Sequence, residues 1–338
     1  MKPLFLAAFS AALAFVSCTD HSHDFSITGT TSCEDGTLVY LLDQNREQLD
    51  SALVQQGSFA FNGVVDSIMG GYLVAEGLRP MDFYLEPGQI QVNLDDQTAT
   101  GSPLNDEASA YGAFVQGLIS ELKSGADEDS INLVFFNHTV ELSARHLGDL
   151  MGRDLVLQMS DELTAEQVDS IRSLCPLYAN DARLKRLYDS KLAEESTTEG
   201  CQYVDIVGIN AKTGEEMKLS DIVGKGLPVI VDFWASWCGP CRREIQEFLS
   251  EYYNMFIGRC NFVGIAVWEN SIEDTQKAMS ELPISWPVIF AGDRNEGPTQ
   301  DYGITGIPQI MLIAPDGTIV ARDLRGVAIG EAIDDVAP

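Results

Sequence analysis

Two cysteines two residues apart sit at a strand-to-helix junction, in Trp237-Cys238-Gly239-Pro240-Cys241. The run ahead of them, Leu227 to Phe233 (LPVIVDF), reads as a buried strand, and the run behind, Arg242 to Tyr253 (RREIQEFLSEYY), as a helix. A cysteine at a helix N-terminus faces unpaired backbone N–H groups and the positive end of the helix dipole, which favour its thiolate. A second cysteine three positions on lies about one turn away, within reach of a mixed disulfide formed on the first. The pattern therefore reads as a redox dithiol. The alternatives are a structural disulfide and half of a zinc site. Zinc calls for a second close pair, and no other two of the seven cysteines lie near one another in the sequence.

The rhythm around this motif sets the fold class. From Cys201 onward strands and helices alternate, the sign of a mixed or parallel sheet with helices on its faces. Val204–Ile209 and Asn210–Gly214 read as a hairpin, and Lys218-Leu219-Ser220-Asp221-Ile222 as a turn into a short helix. The strands are Val229–Phe233, Phe262–Val267, Pro287–Phe290, Gln309–Ile313 and Thr318–Ala321. Glu273–Leu282 and Val327–Val336 complete the helices. Residues 25–101 instead read as all-β, with seven short runs between Phe25 and Leu94 broken at Glu34-Asp35-Gly36, Gln56-Gly57 and Glu86-Pro87-Gly88. Such spacing predicts a sandwich or small barrel.

Residues 102–199 read as a helical connector. Asn105–Lys123 is one helix, and Asn137–Met159 carries apolar residues at helical spacing, weakened by Gly148 and Gly152. Thr164-Ala165-Glu166-Gln167 is a capping box opening a helix to Leu174, and Asp181–Glu194 begins another after Pro176. Glu195–Gly200 reads as a linker. His138 and His146 show no cysteine or carboxylate partner pattern and are assigned to packing or surface.

The first residues carry an address. Lys2 precedes an apolar stretch, Leu4 to Val16, that is too short to span a bilayer. Val16-Ser17-Cys18 ends it, so residues 1–17 read as an export signal and 18–24 as a tether. The stretch resembles a bacterial lipoprotein signal, which implies that Cys18 becomes a lipidated N-terminus; Phe15 departs from the usual small aliphatic residue. The net charge of −30 argues against nucleic acid and against electrostatic attachment to an anionic membrane, and reads as a solubility device. In an exported protein Cys33, Cys175, Cys201 and Cys260 have partners open to them; Cys260 precedes an apolar run and reads as a small buried residue.

Val231-Asp232-Phe233-Trp234-Ala235-Ser236-Trp237-Cys238-Gly239-Pro240-Cys241 is similar to thioredoxin. Further matches narrow the resemblance to the TlpA/ResA-like branch of membrane-tethered thiol–disulfide oxidoreductases. They are Lys218-Leu219-Ser220-Asp221, Cys241-Arg242-Arg243-Glu244, Tyr302-Gly303-Ile304, Gly306-Ile307-Pro308 and Ile313-Ala314-Pro315-Asp316-Gly317. The resemblance spans roughly residues 201–338, within a thioredoxin-like α/β domain drawn at 200–338. Ile245-Gln246 departs from it, because the branch often has Met-Pro or Phe-Pro there. Residues 25–101 resemble the small N-terminal domain of uncharacterised function that often precedes such domains in envelope lipoproteins. The matching residues are Gly36-Thr37-Leu38-Val39-Tyr40-Leu41, Asp50-Ser51-Ala52, Gly57-Ser58-Phe59-Ala60-Phe61 and Leu85-Glu86-Pro87-Gly88.

The resemblance implies roles. Cys238 is the exposed nucleophile with a lowered pKa, and Cys241 resolves the mixed disulfide. A buried carboxylate near Cys241 accepts its proton, since desolvation raises a carboxyl pKa toward neutrality. Asp232 holds the thioredoxin position for that group, and Glu244 the position used in the ResA-like branch. Trp237 shapes the rim beside Gly239 and Pro240, and Pro308 is cis, placing the Ile307 backbone against Cys238 to pair with a substrate strand. No metal or other cofactor is called for beyond the Cys238–Cys241 disulfide. The Gly-Pro dipeptide is that of thioredoxin, at about −270 mV, and favours a reductant. The expected activity is reduction of disulfides in exported proteins at the bacterial envelope, with a membrane thiol donor supplying electrons in an oxidising compartment. Cytochrome c maturation is one pathway open to such a reductant. The competing readings are a disulfide oxidase or isomerase on the same site, a thiol peroxidase, and a partner-binding lipoprotein with an accessory redox domain.

Overall fold

A computed structural model describes residues 23–292 and 297–337. The export signal and Cys18 lie outside the described residues. The chain divides into two compact units at Leu155/Val156.

The first unit opens with eight strands: β1 (Asp24–Thr30), β2 (Leu38–Asp43), β3 (Gln48–Leu53), β4 (Ser58–Val64), β5 (Met69–Ala75), β6 (Met81–Leu85), β7 (Gly88–Asn93) and β8 (Thr98–Thr100). They form two four-stranded sheets, ordered β4-β1-β7-β8 and β3-β2-β5-β6. Alternate residues of both sheets, among them Ile27, Val39, Leu41, Phe59, Phe61, Leu73 and Ile90, are buried in one shared core. This is the period-two pattern of a sandwich. Gly29 pairs with Phe59 across β1 and β4, and the ring occupies the space that a Cβ would fill, 1.9 Å from Phe59 Cζ. The three-residue β8 was too short to stand out in the sequence. The Glu86-Pro87-Gly88 turn has a structural use. Buried Glu86 accepts hydrogen bonds through Oε1 from the Leu104 and Asn105 backbone N–H groups, at 3.0 and 3.2 Å. A carboxylate thus sits on the N-terminus of α1 (Pro103–Lys123), where the free N–H groups and the helix dipole favour negative charge.

The predicted helix 137–159 is two helices, α2 (Glu128–Arg145) and α3 (Leu150–Gln158). Asp127 caps α2, accepting from Ser130 N at 2.9 Å, and Gly148 in the left-handed region (φ 103°) turns the chain between them. The apolar spacing ran on through this turn and hid it. His146, assigned no carboxylate partner from the sequence, is held by two: Nε2 lies 3.0 Å from Glu107 Oε2 and Nδ1 2.7 Å from Asp149 Oδ2. His138 packs its ring on Phe114.

The second unit takes in α4 (Ala165–Arg172), α5 (Pro176–Ala179) and α6 (Ala182–Ser196). Both reciprocal bonds of the Thr164/Gln167 capping box are made. The stretch 195–200, expected as a linker, is docked instead. The α6 helix runs to Ser196, and Thr197 is fully buried, receiving Arg322 Nη1 on its carbonyl oxygen at 2.9 Å and on Oγ1 at 2.8 Å.

There follow β9 (Val207–Asn210), β10 (Glu216–Lys218), β11 (Val229–Trp234), α7 (Gly239–Glu244), α8 (Ser250–Met255), β12 (Asn261–Ala266), α9 (Ile272–Glu281), β13 (Val288–Phe290), α10 (Pro298–Asp301), β14 (Gln309–Ile313), β15 (Ile319–Ala321) and α11 (Val327–Val336). The seven-stranded sheet has the order β10-β9-β13-β12-β11-β14-β15. The central strand β11 runs parallel to β12 and antiparallel to β14, and all six of its residues are buried. Its alternation splits the core. Val229, Val231 and Phe233 enter one cluster, while Ile230 and Trp234 enter the one that holds Cys238, Cys241 and Ile245. Asp232 falls on the Ile230/Trp234 side of that alternation, which is the side of the dithiol. Between α7 and α8 the helix widens into a π turn at Ile245–Leu249. It falls where the ResA-like branch often carries a proline, so a π turn stands in the helix at the proline's place.

Candidate active site

Cys238 occupies the N-cap of α7 and is joined to Cys241 by a disulfide, with the Cα atoms 5.3 Å apart. The Cys241 backbone N–H donates to Cys238 Sγ at 3.1 Å, so an orphan donor of the helix N-terminus points at the sulfur where a thiolate would form. Cys238 was expected to be exposed. In this oxidised form it is only 4% accessible, because its sulfur is turned onto Cys241 and lies 3.8 Å from the Ile307 carbonyl oxygen. What meets solvent is the rim: Gly239 and Pro240 are exposed and Trp237 is 52% accessible. The Ile307–Pro308 peptide is cis.

The rim is braced by residues that the sequence did not single out. Trp237 Nε1 donates to the Trp268 carbonyl oxygen at 2.9 Å. Trp268 itself has φ 56°, uncommon for a bulky side chain. Next to it the buried Glu269 accepts from Ser236 N at 2.6 Å and from Ser236 Oγ at 2.7 Å. Arg242 Nη1 donates to the Ser236 carbonyl oxygen at 3.2 Å, and Nη2 meets Glu281 Oε2 at 2.8 Å. The loop that presents the dithiol is thereby held from the turn after β12 and, through Arg242 on α7, from α9. In the sequence Glu269 is a lone acid after an apolar run, and nothing local distinguishes it from a solvated loop residue.

The two candidate carboxylates differ in setting. Asp232 is 2% accessible, and its Oδ1 has no hydrogen-bond partner among the described residues. Burial pushes its pKa from 3.8 up to about 8; the Arg325 guanidinium opposes the rise and the Glu244 charge adds to it. Glu244 is half-buried and accepts the Gly326 N–H on Oε1. It is therefore neither a freely solvated helix-face charge nor an unpartnered one. Cys33, Cys175, Cys201 and Cys260 are free thiols, and burial pushes Cys260 up to about 12. Among the described residues no three His, Cys, Asp or Glu side chains converge as a metal site, and no helix is long and apolar enough to cross a membrane.

Residues 200–322 match the AhpC/TSA family model, and residues 25–108 match a domain of unknown function, DUF4369. The chain is 29% identical over 135 residues to the thiol-disulfide oxidoreductase ResA of Bacillus subtilis (strain 168), covering 40% of this chain and 72% of that protein. It is 31% identical over 146 residues to the thiol:disulfide interchange protein CycY of Rhizobium leguminosarum bv. viciae, covering 41% of this chain and 74% of that one. The chain belongs to the ResA/CycY family of thiol-disulfide oxidoreductases. Among solved structures, the thioredoxin domain of a thiol-disulfide oxidoreductase from Bacteroides vulgatus is 31% identical. The match covers 42% of this chain and 99% of that one, with a TM-score of 0.39. A thioredoxin-fold oxidoreductase domain thus follows a DUF4369 domain in one chain. The chemistry open to an oxidoreductase of this family is reversible dithiol–disulfide exchange, in which one sulfur–sulfur bond forms as another breaks and two electrons pass between them.

Proposed function

We propose that this oxidoreductase is a lipid-anchored envelope protein that reduces disulfides in exported proteins. The observation that carries the reading is a bonded Cys238–Cys241 pair at the start of α7, on the face of the central strand that holds the buried Asp232. The Cys238 thiolate attacks one substrate sulfur; the substrate disulfide breaks, a mixed disulfide forms, and the other substrate sulfur leaves as thiolate. Cys241 passes its proton to the Asp232 carboxylate and attacks Cys238 Sγ. This closes the Cys238–Cys241 bond and frees the second substrate thiolate. Glu244, held by the Gly326 N–H, adds negative charge beside Asp232 and so favours its protonated form. Trp237, Gly239 and Pro240 form the exposed platform for the substrate, and the Ile307 backbone aligns its strand next to Cys238. A membrane thiol donor returns two electrons and two protons to the disulfide. Cys18 carries the lipid that keeps the domain at the membrane.

The test is insulin reduction by the full chain with a fresh dithiol reductant. Turnover in the wild type, lost in Cys238→Ser, is the expected result; no turnover in the wild type overturns the reading. A reduction potential below about −200 mV fixes the direction as reductant, and one well above it makes the site an oxidase or isomerase.

A further inference from the structure

The segment after β15 reaches three elements around the site: β14, α7 and the cis-proline loop. Leu324 N donates to the Ile310 carbonyl oxygen at 3.0 Å, anchoring the segment to β14. Gly326 N donates to Glu244 on α7. Between them, Arg325 Nη1 donates to the Leu324 carbonyl oxygen at 2.6 Å and Nη2 donates to the Pro308 carbonyl oxygen. Arg325 is an exposed side chain that forms no ion pair among the described residues. An exposed arginine is ordinarily free to sample many rotamers; this one is tied by one nitrogen to its own segment at the Leu324 carbonyl and by the other to the cis-proline loop at the Pro308 carbonyl. The pinning also fixes where its charge lies: Leu324, next to it in the chain, bonds Ile310, the β14 residue paired with Asp232, so the guanidinium is held close enough to act on that buried carboxyl, whose Oδ1 has no partner among the described residues.

We propose that Arg325 is a positioning residue for the exchange reaction: it clamps the Ile307–Pro308 loop beside Cys238 and places a positive charge near Asp232. The proposal rests on the reading above in which Asp232 accepts the Cys241 proton. Burial and two charged groups bear on that transfer. Burial favours the protonated acid, the Glu244 charge on α7 favours it further, and Arg325 on the segment after β15 favours the carboxylate. Without Arg325, Asp232 holds its proton to higher pH and is unavailable as a base over more of the neutral range. An arginine suits both tasks, because its planar fork bonds two acceptors while its charge persists at every working pH. Lysine keeps the charge and loses the fork; methionine loses both and keeps much of the length.

The experiment follows the Asp232 carboxyl directly. The full oxidised chain, carrying 13C-labelled aspartate, is titrated by NMR, with Asp232→Asn identifying the resonance. The pH profile of insulin reduction by the pre-reduced chain is measured beside it. Arg325→Met is expected to move the Asp232 midpoint upward by roughly half to one pH unit. The midpoint of the rate profile moves with it, and both differences shrink in ~1 M salt, where an exposed charge is screened. Arg325→Lys is expected to keep the wild-type midpoint while raising the KM for insulin several-fold. An unchanged midpoint in Arg325→Met, against an assigned Asp232 titration, overturns the proposal and leaves Asp232 as the proton acceptor. If Asp232→Asn has the wild-type rate profile, the reading of Asp232 fails and the proposal fails with it. Should Arg325→Met not fold, Arg325→Gln and the salt dependence of the wild-type midpoint take its place. A wild-type midpoint indifferent to salt, or an unmoved midpoint in Arg325→Gln, overturns the proposal equally.

Discussion

Asp232 is the residue whose chemistry departs furthest from its sequence neighbours. A lone aspartate inside LPVIVDF demands an explanation once buried, because a desolvated carboxylate is costly. The structure answers with a raised pKa of about 8 in place of a salt bridge. The sign of its effect on stability follows. Between about pH 4 and pH 8 the unfolded chain has released this proton while the folded chain keeps it, so stability falls as pH rises and levels off above about pH 8. The full span is on the order of 5 kcal/mol. Asp232→Asn is therefore expected to be more stable than the wild type by a margin that grows across this window, measured by denaturant unfolding at a series of pH values. Parallel curves would mean that Asp232 does not titrate there. Asp232, Cys238, Cys241 and Pro308 were legible because each sits inside a continuous local pattern. Glu269 and Arg325 were not. Glu269 meets Ser236 from 33 residues away and Arg325 meets Pro308 from 17, and local periodicity carries no information on contacts of that range.

Elements were legible where hydrophobic period and punctuation agreed. Most strands of the three sheets, α1, α4 and the dithiol helix followed from alternation, a capping box or a strand-to-helix junction; β8 was too short, and the second hairpin strand, expected at Asn210–Gly214, lies at Glu216–Lys218. The break between α2 and α3 did not, because the apolar residues keep their spacing across Gly148. The supposed linker at 195–200 failed for a related reason. Polar, small residues look alike whether they are solvated or, like Thr197, sealed by an arginine fork. The docking of α6 turns on Gly303. Its φ is 62°, and a Cβ there would lie 2.3 Å from Ser190 O and 2.5 Å from Glu194 N, both backbone atoms of α6. Gly303→Ala is expected to cost roughly 3 kcal/mol or more by forcing α6 away from the turn after α10, read as a lowered denaturation midpoint. A loss under about 0.5 kcal/mol would show that this packing is dispensable.

At the scale of the molecule, the compact redox unit does not coincide with the stretch that resembles its relatives. The AhpC/TSA match begins at residue 200, but the second unit begins at Val156 and includes α4 to α6. A fragment starting at residue 156 is accordingly expected to melt higher than one starting at 200, which loses Thr197 from Arg322 and exposes Gly303; equal melting temperatures would refute that boundary. The sequence placed the edge at 200 because the β/α rhythm starts there, and a helix that packs on a domain has no signature separating it from a connector. The central claim concerns the chemistry of the dithiol and is met most directly by trapping. The full-length Cys241→Ala variant, pre-reduced and mixed with insulin, is predicted to stall as a mixed disulfide that mass spectrometry maps to Cys238, with no adduct when Cys238→Ser is added. An adduct on Cys33, Cys175, Cys201 or Cys260, or none at all, would contradict the assignment of Cys238 as nucleophile and Cys241 as the resolving thiol.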